Sequence, residues 1–205
     1  MLKKTLFFIF FFIIATSAFA KTFNQKWHDA ADLYNDKKYE EALSIFLQLE
    51  NDLDKNKIKL EEIYGKKKHI TRLKFYNWLD VCYVMLIRSN ISDKDKVKKL
   101  YKSKISMHEK ALKSVKKANY EEAKKYIDKL YFTIMSDHWV YFYSYQGPVE
   151  NLLISEKYGL KMLKNPEKLK KEKTLYAGDM SVSSLYQDVL KIMADIYATF
   201  NYQKK

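Results

Sequence analysis

Only four glycines and two prolines stand among 205 residues, and this scarcity constrains the fold more than any other feature of the chain. Glycine supplies the left-handed backbone of tight turns and proline the fixed φ of loops, so chains rich in hairpins draw heavily on both. Helix interiors exclude them, at about 1 kcal/mol for glycine and about 3 kcal/mol for proline. The chain therefore reads as all-α. Its single cysteine, Cys82, rules out an internal disulfide, so stability has to come from packed apolar surface.

The first twenty residues do different work. Lys3 and Lys4 are followed by an unbroken apolar run from Leu6 to Ile14 and then by Ala18-Phe19-Ala20. Charge, apolar run and small residues three and one positions before a cut form the three-part secretory signal, with cleavage expected before Lys21. The run is shorter than the ~20 apolar residues of a spanning helix, which is the form an uncleaved anchor would take. No cysteine follows the cut to carry a lipid. The expectation is a periplasmic or secreted protein, residues 21–205 forming a single all-helical domain with no transmembrane anchor after cleavage.

A formal net charge of +13 suits anionic envelope polymers, lipid head groups or nucleic acid. Codon drift in an AT-rich genome would produce the same lysine-rich composition. Over most of the chain lysines alternate with acids as on ordinary solvated helix faces, and the denser runs at Lys66-Lys67-Lys68 and Lys168 to Lys173 are short. Nucleic acid is not the expected partner.

Helical spacing recurs along the mature chain. Thr22 with Gln25 forms a capping box ahead of Phe23, Trp27, Ala30, Ala31 and Tyr34. Asn35-Asp36-Lys37-Lys38 breaks the pattern, and a second helix from about Tyr39 carries Ala42, Leu43, Phe46 and Leu49. A short helix with Leu60, Ile63 and Tyr64 stops at Gly65, and the apolar stretch from His69 to Arg88 reads as a central helix. Ser92 with Asp95 is expected to cap the next helix, and Tyr120 to open another through about Met135. Trp139 to Tyr145 alternates as a strand would, but it is short and surrounded by helices and is read as helix. Pro148 suits the first position of a helix to about Leu163, Asn165-Pro166 breaks again, and Ser184 with Gln187 caps the last helix.

Part of this pattern repeats. Ala30-Ala31-Asp32-Leu33-Tyr34 runs into Tyr39-Glu40-Glu41-Ala42, with Phe46 and Leu49 beyond, and Ala118-Asn119-Tyr120-Glu121-Glu122-Ala123 continues to Ile127 and Leu130 at the same offsets. A partial copy, Ala194-Asp195-Ile196-Tyr197 with Tyr202, follows near the end. These residues resemble the tetratricopeptide repeat family, whose units are two antiparallel helices. The resemblance implies an antiparallel helical-hairpin array with degenerate repeats. Small alanines let paired helices approach closely, and Tyr39 wedges over the turn.

The resemblance also implies a concave groove lined by the first helix of each pair. Asn24, Trp27, Ala31, Tyr34 and Asn35 would face it in the first unit, and Ile105, His108, Leu112, Val115 and Lys116 in the second. Family members that clamp a peptide carboxylate use a lysine and an asparagine where this chain has Trp27 and Ala31. An aromatic groove suits an apolar peptide or a stacked sugar; the competing reading packs Trp27 on a neighbouring helix.

Motifs for catalysis are missing: there is no His-Glu-x-x-His zinc helix, P-loop, Gly-x-Ser-x-Gly elbow or dinucleotide fingerprint. His28, His69, His108 and His138 lack a second ligand at metal spacing, and Cys82 reads as a buried thiol. Carboxylates paired only in space would escape such a search. The expectation is a non-enzymatic scaffold, without cofactor or metal, that binds a protein or peptide in the cell envelope. The alternative is a basic adaptor for an anionic or glycan envelope polymer.

Overall fold

The structure is a computed structural model that describes residues 23–55, 68–117, 126–171, 173–175 and 182–203. The targeting segment, Thr22, the short helix around Leu60, the Ala118–Ala123 copy of the repeat and Gly178 lie outside those residues. Among the described residues the chain is helical apart from one small strand pair, and it gathers into two compact units, Met1–Ser92 and Asp93–Lys205. No described helix is long and apolar enough to cross a membrane.

The first unit holds α1 (residues 23–35), α2 (Tyr39–Asp54) and α3 (Lys68–Ser89). The break after α1 falls where the polar run placed it. Lys37 takes a left-handed φ of 64°, and the amides of Asp36, Lys37 and Lys38 donate back to carbonyls of α1. Glu40 and Glu41 occupy the first turn of α2, where negative charge complements the helix dipole.

Aromatic rings make this core. Phe46 of α2 is fully buried, stacked on Trp78 at 5.8 Å and edge-on to Phe75 at 5.9 Å, both from α3. Trp27 of α1 completes the cluster, 6.4 Å from Phe46 and 5.6 Å from Phe75. Ala30 and Ala42 are fully buried as well, their small size suiting close helix approach.

The second unit holds α4 (Lys94–Lys117), α5 (Ile127–Tyr145), α6 (Glu150–Met162), α7 (Pro166–Lys171), β1 (Lys173–Leu175), β2 (Val182–Ser184) and α8 (Leu185–Gln203). Helix α5 packs on α4 and α6, and α8 packs on α5, α6 and α7. The core gathers Met135, Leu152, Met162, Leu169, Leu185, Val189, Ile192, Met193 and Ile196, with Trp139 and Phe142 packed against it. Residues 139–145 are helical, as read from the sequence, but they end a helix that starts at Ile127 rather than forming a separate segment.

Several boundaries differ from expectation. The cap of α4 is Asp93, whose Oδ1 accepts the Lys96 amide at 3.0 Å, and not Ser92. Pro148 stands ahead of α6, where its carbonyl accepts the Asn151 amide at 3.0 Å. Pro166 does occupy the first position of its helix. The Ser184 capping box forms: Gln187 N donates to Ser184 Oγ at 3.3 Å, and Ser184 N donates to Gln187 Oε1 at 3.1 Å. Just before it, β2 pairs antiparallel with β1 through Lys173–Ser184, Thr174–Ser183 and Leu175–Val182, a ladder the sequence reading did not anticipate.

Truncating Phe46 removes the ring on which Trp27, Phe75 and Trp78 converge. Phe46→Ala is expected to destabilise the protein by about 3–5 kcal/mol in urea unfolding followed by tryptophan fluorescence.

Candidate functional site

The residues proposed for a first-helix groove divide between the two units and mostly face inward. Tyr34 packs on Tyr39 at 5.3 Å and on Trp78 of α3 at 5.6 Å, and Trp27 packs on Phe75 of the same helix. Ala31 is half-buried between them in sequence, while Asn24 and Asn35 are exposed near the two ends of α1. The face meant for a groove is thus the face that meets α3. In the second unit Leu112 is buried, as are Ile105, Val115 and His108, and only Lys116 is exposed.

His108 belongs to a buried charge cluster. Asp137 of α5 accepts a hydrogen bond from Lys104 Nζ at 2.5 Å on one oxygen and pairs with His108 Nδ1 at 2.8 Å on the other. All three side chains are less than one-tenth exposed. Helical spacing puts Lys104 and His108 on one face of α4, four residues apart, and α5 packing supplies the acid between them. The next residue along α5, His138, faces α6 instead. Its Nδ1 lies 2.7 Å from Asn151 Oδ1, and Asn151 Nδ2 donates to the Pro148 carbonyl at 2.9 Å, which places the imidazole proton on Nδ1. His138 Nε2 is buried and has no hydrogen-bond partner among the described residues.

A shallow cleft of about 330 Å³ opens in the first unit between the α1–α2 turn and the end of α3, lined by Lys37, Lys38, Tyr39, Glu40, Glu41, Leu86, Ser89 and Asn90. Its polar groups are engaged locally: Asn90 Nδ2 and Ser89 Oγ both donate to the Leu86 carbonyl, at 2.8 and 3.2 Å, closing the end of α3. Among the described residues no three His, Cys, Asp or Glu side chains gather to hold a metal ion. Cys82 is fully buried on α3, and burial pushes its thiol up to about 12.

Two surface features of the second unit remain. The first is apolar. Leu153 and Leu160 lie two turns apart on α6, and Leu190 and Tyr197 repeat that spacing on α8; all four are exposed. The helices meet where Gly159 faces Met193, and burial first, then the nearby Glu156 of α6, raises the pKa of the Tyr197 hydroxyl on α8. The second feature is basic. Lys157 and Lys161 share the adjoining face of α6, Lys164 follows in the turn just past its end, and Lys116 approaches from α4. Burial, and then the charges of Lys116, Lys157 and Lys164, hold the Lys161 ammonium below the ordinary lysine range. Neither feature was visible as a unit in the sequence. The leucine spacing was a signal for a helix face but gave no reason to expect that face uncovered.

Compared with protein-family models, curated proteins and solved structures, the chain matches none.

Removing the acid from the buried cluster leaves two basic side chains facing each other out of water. Asp137→Ala should cost about 3–5 kcal/mol of stability in urea unfolding. The Cys82 thiol has a folded pKa above its ordinary value of 9.0. Its contribution to stability is therefore present below pH 9 and lost as pH rises toward 12, because the unfolded thiol ionises first. At pH 8 the folded protein should resist iodoacetamide, and unfolding in urea should release one alkylation detectable by mass spectrometry.

Proposed function

We propose that this chain is an exported, non-enzymatic helical scaffold of tetratricopeptide-like hairpins that holds a protein or peptide partner in the cell envelope. The Lys3–Ala20 pattern supports export. The buried Ala30 and Ala42, with Tyr39 laid on Tyr34 at the turn, support a close hairpin of that kind.

The observation that carries the reading is the double apolar row on α6 and α8. Leu153 is 51 % exposed and Leu160 48 %, far more than core leucines such as Leu152, so this stripe is not part of the unit's own packing. Two parallel rows flanking a helix seam suit an amphipathic helix whose apolar anchors recur every three or four residues. Lys157 borders the leucine row on α6, Lys164 follows just past the end of that helix and Lys191 stands on α8, so the partner helix should carry acidic residues on its flanks. The binding face thus moves from the first helices, where the repeat resemblance placed it, to the final helices.

Leu153→Asp/Leu160→Asp tests this. The variant should keep its circular dichroism and stay close to the wild-type melting temperature, since both side chains are already about half in water. In crosslinked envelope material the wild-type chain, with a mature N-terminus at Lys21, should capture a partner that the variant loses. An unchanged partner set would remove the docking face, and a retained leader would remove the export.

A further inference from the structure

The second unit carries a basic cluster beside the apolar rows. Tyr131 of α5 and Tyr158 of α6 lie with ring centroids 5.4 Å apart. Lys161 Nζ sits 5.0 Å from the Tyr158 centroid and 5.6 Å from that of Tyr131, bridging the pair. Lys116 Nζ, from α4, lies 5.2 Å from the Tyr131 centroid. Lys157 stands about one turn before Lys161 on the same helix face, and Lys164, in the turn past the end of α6, is close enough for its charge to act on Lys161. Among the described residues none of these four lysines has an ion-pair partner.

Four like charges repel, and long lysine side chains in water would simply swing apart. Here two of them are held together by attraction to the tyrosine ring faces, which fixes their positions without neutralising their charge. That is an anion site prepared in advance. We propose that Lys116, Lys157, Lys161 and Lys164 form a binding site for a phosphate group carried by an envelope molecule. A carboxylate would offset a single charge. A phosphate monoester brings about −1.5 to −2 and three strong acceptor oxygens, enough to bridge several ammonium groups at once. The tyrosines serve here to hold the lysines. Recognition is of the phosphate charge itself. This gives the anionic-polymer alternative one location and one chemistry; it shares Lys157 and Lys164 with the border of the docking face, while Lys116, Lys161 and the two tyrosines belong to the phosphate site alone.

Phosphate of this kind reaches an exported protein as a soluble compound or as a lipid head group, and two arms separate these sources. The full chain without its leader is titrated calorimetrically with inorganic pyrophosphate, and co-sedimented with phosphatidylcholine vesicles containing phosphatidic acid. Each arm compares Lys116→Gln/Lys161→Gln with the charge-matched control Lys99→Gln/Lys102→Gln, whose lysines are exposed on α4. Loss of two charge-assisted contacts should weaken binding about tenfold or more in the first variant, with the control close to wild type. Binding in the pyrophosphate arm identifies a soluble phosphate, and binding to vesicles alone identifies a head group. No binding in either arm, or equal weakening by the control, overturns the site. Thermal melts of both variants check that each remains folded.

Discussion

A carboxylate shut away from water must be answered by charge, and in the second unit Asp137 organises the packing around that demand. Lys104 and His108 meet its two oxygens from α4, so the pairing fixes both the register and the rotation of α5 against its neighbour. One residue further, His138 reaches α6 through Asn151, and Ser155 Oγ of α6 donates to the Met135 carbonyl at 2.8 Å. A single turn of α5 therefore sends polar contacts to the helices on both sides. Apolar packing alone tolerates sliding; these directional contacts do not. With the register set, the methionines and leucines of α6 and α8 close the core beneath.

The first unit reaches a unique packing by other means. Rings meet at the centre of its interior among leucines, and flat rings limit the geometries in which they fit well. Phe46 lies against rings from two other helices, at stacked and edge-on angles that aromatic quadrupoles favour. A hydroxyl or a charge has no place at that centre, while the surrounding helix faces stay polar.

Much of the architecture was readable in the chain because it rests on local chemistry. The shortage of glycine and proline set the helical class, and Ser184 with Gln187 marked the start of α8 from residues three apart. The break at Asn35–Lys38 was legible for the same reason. Errors came where two neighbouring residues could do one job: Ser92 and Asp93 are both good caps, and the backbone chose the second. The strand pair escaped because each strand is three residues long, too short to show a period. Site residues were the least legible. Periodicity placed Trp27 and Tyr34 on one face of α1 and His108 and Leu112 on one face of α4, but it does not say which faces another helix will cover. The Tyr131–Tyr158–Lys161–Lys116 cluster joins three helices, and no local spacing connects those residues.

Gly159 has a consequence for the chemical lifetime of the molecule. A Cβ there would stand 2.5 Å from Met193 Sδ and 2.9 Å from Met135 Cε, so the missing side chain is the space the two thioether tips occupy. Each methionine is almost fully buried, with that gap already filled. Oxidation adds a polar oxygen to sulfur, and here the added atom would meet the α6 backbone with neither room nor a hydrogen-bond donor set aside for it. Burial keeps oxidants from these sulfurs while the unit is closed; in a chain with no disulfide to hold the fold, a sulfoxide formed during a transient opening would keep α6 from closing again on α8.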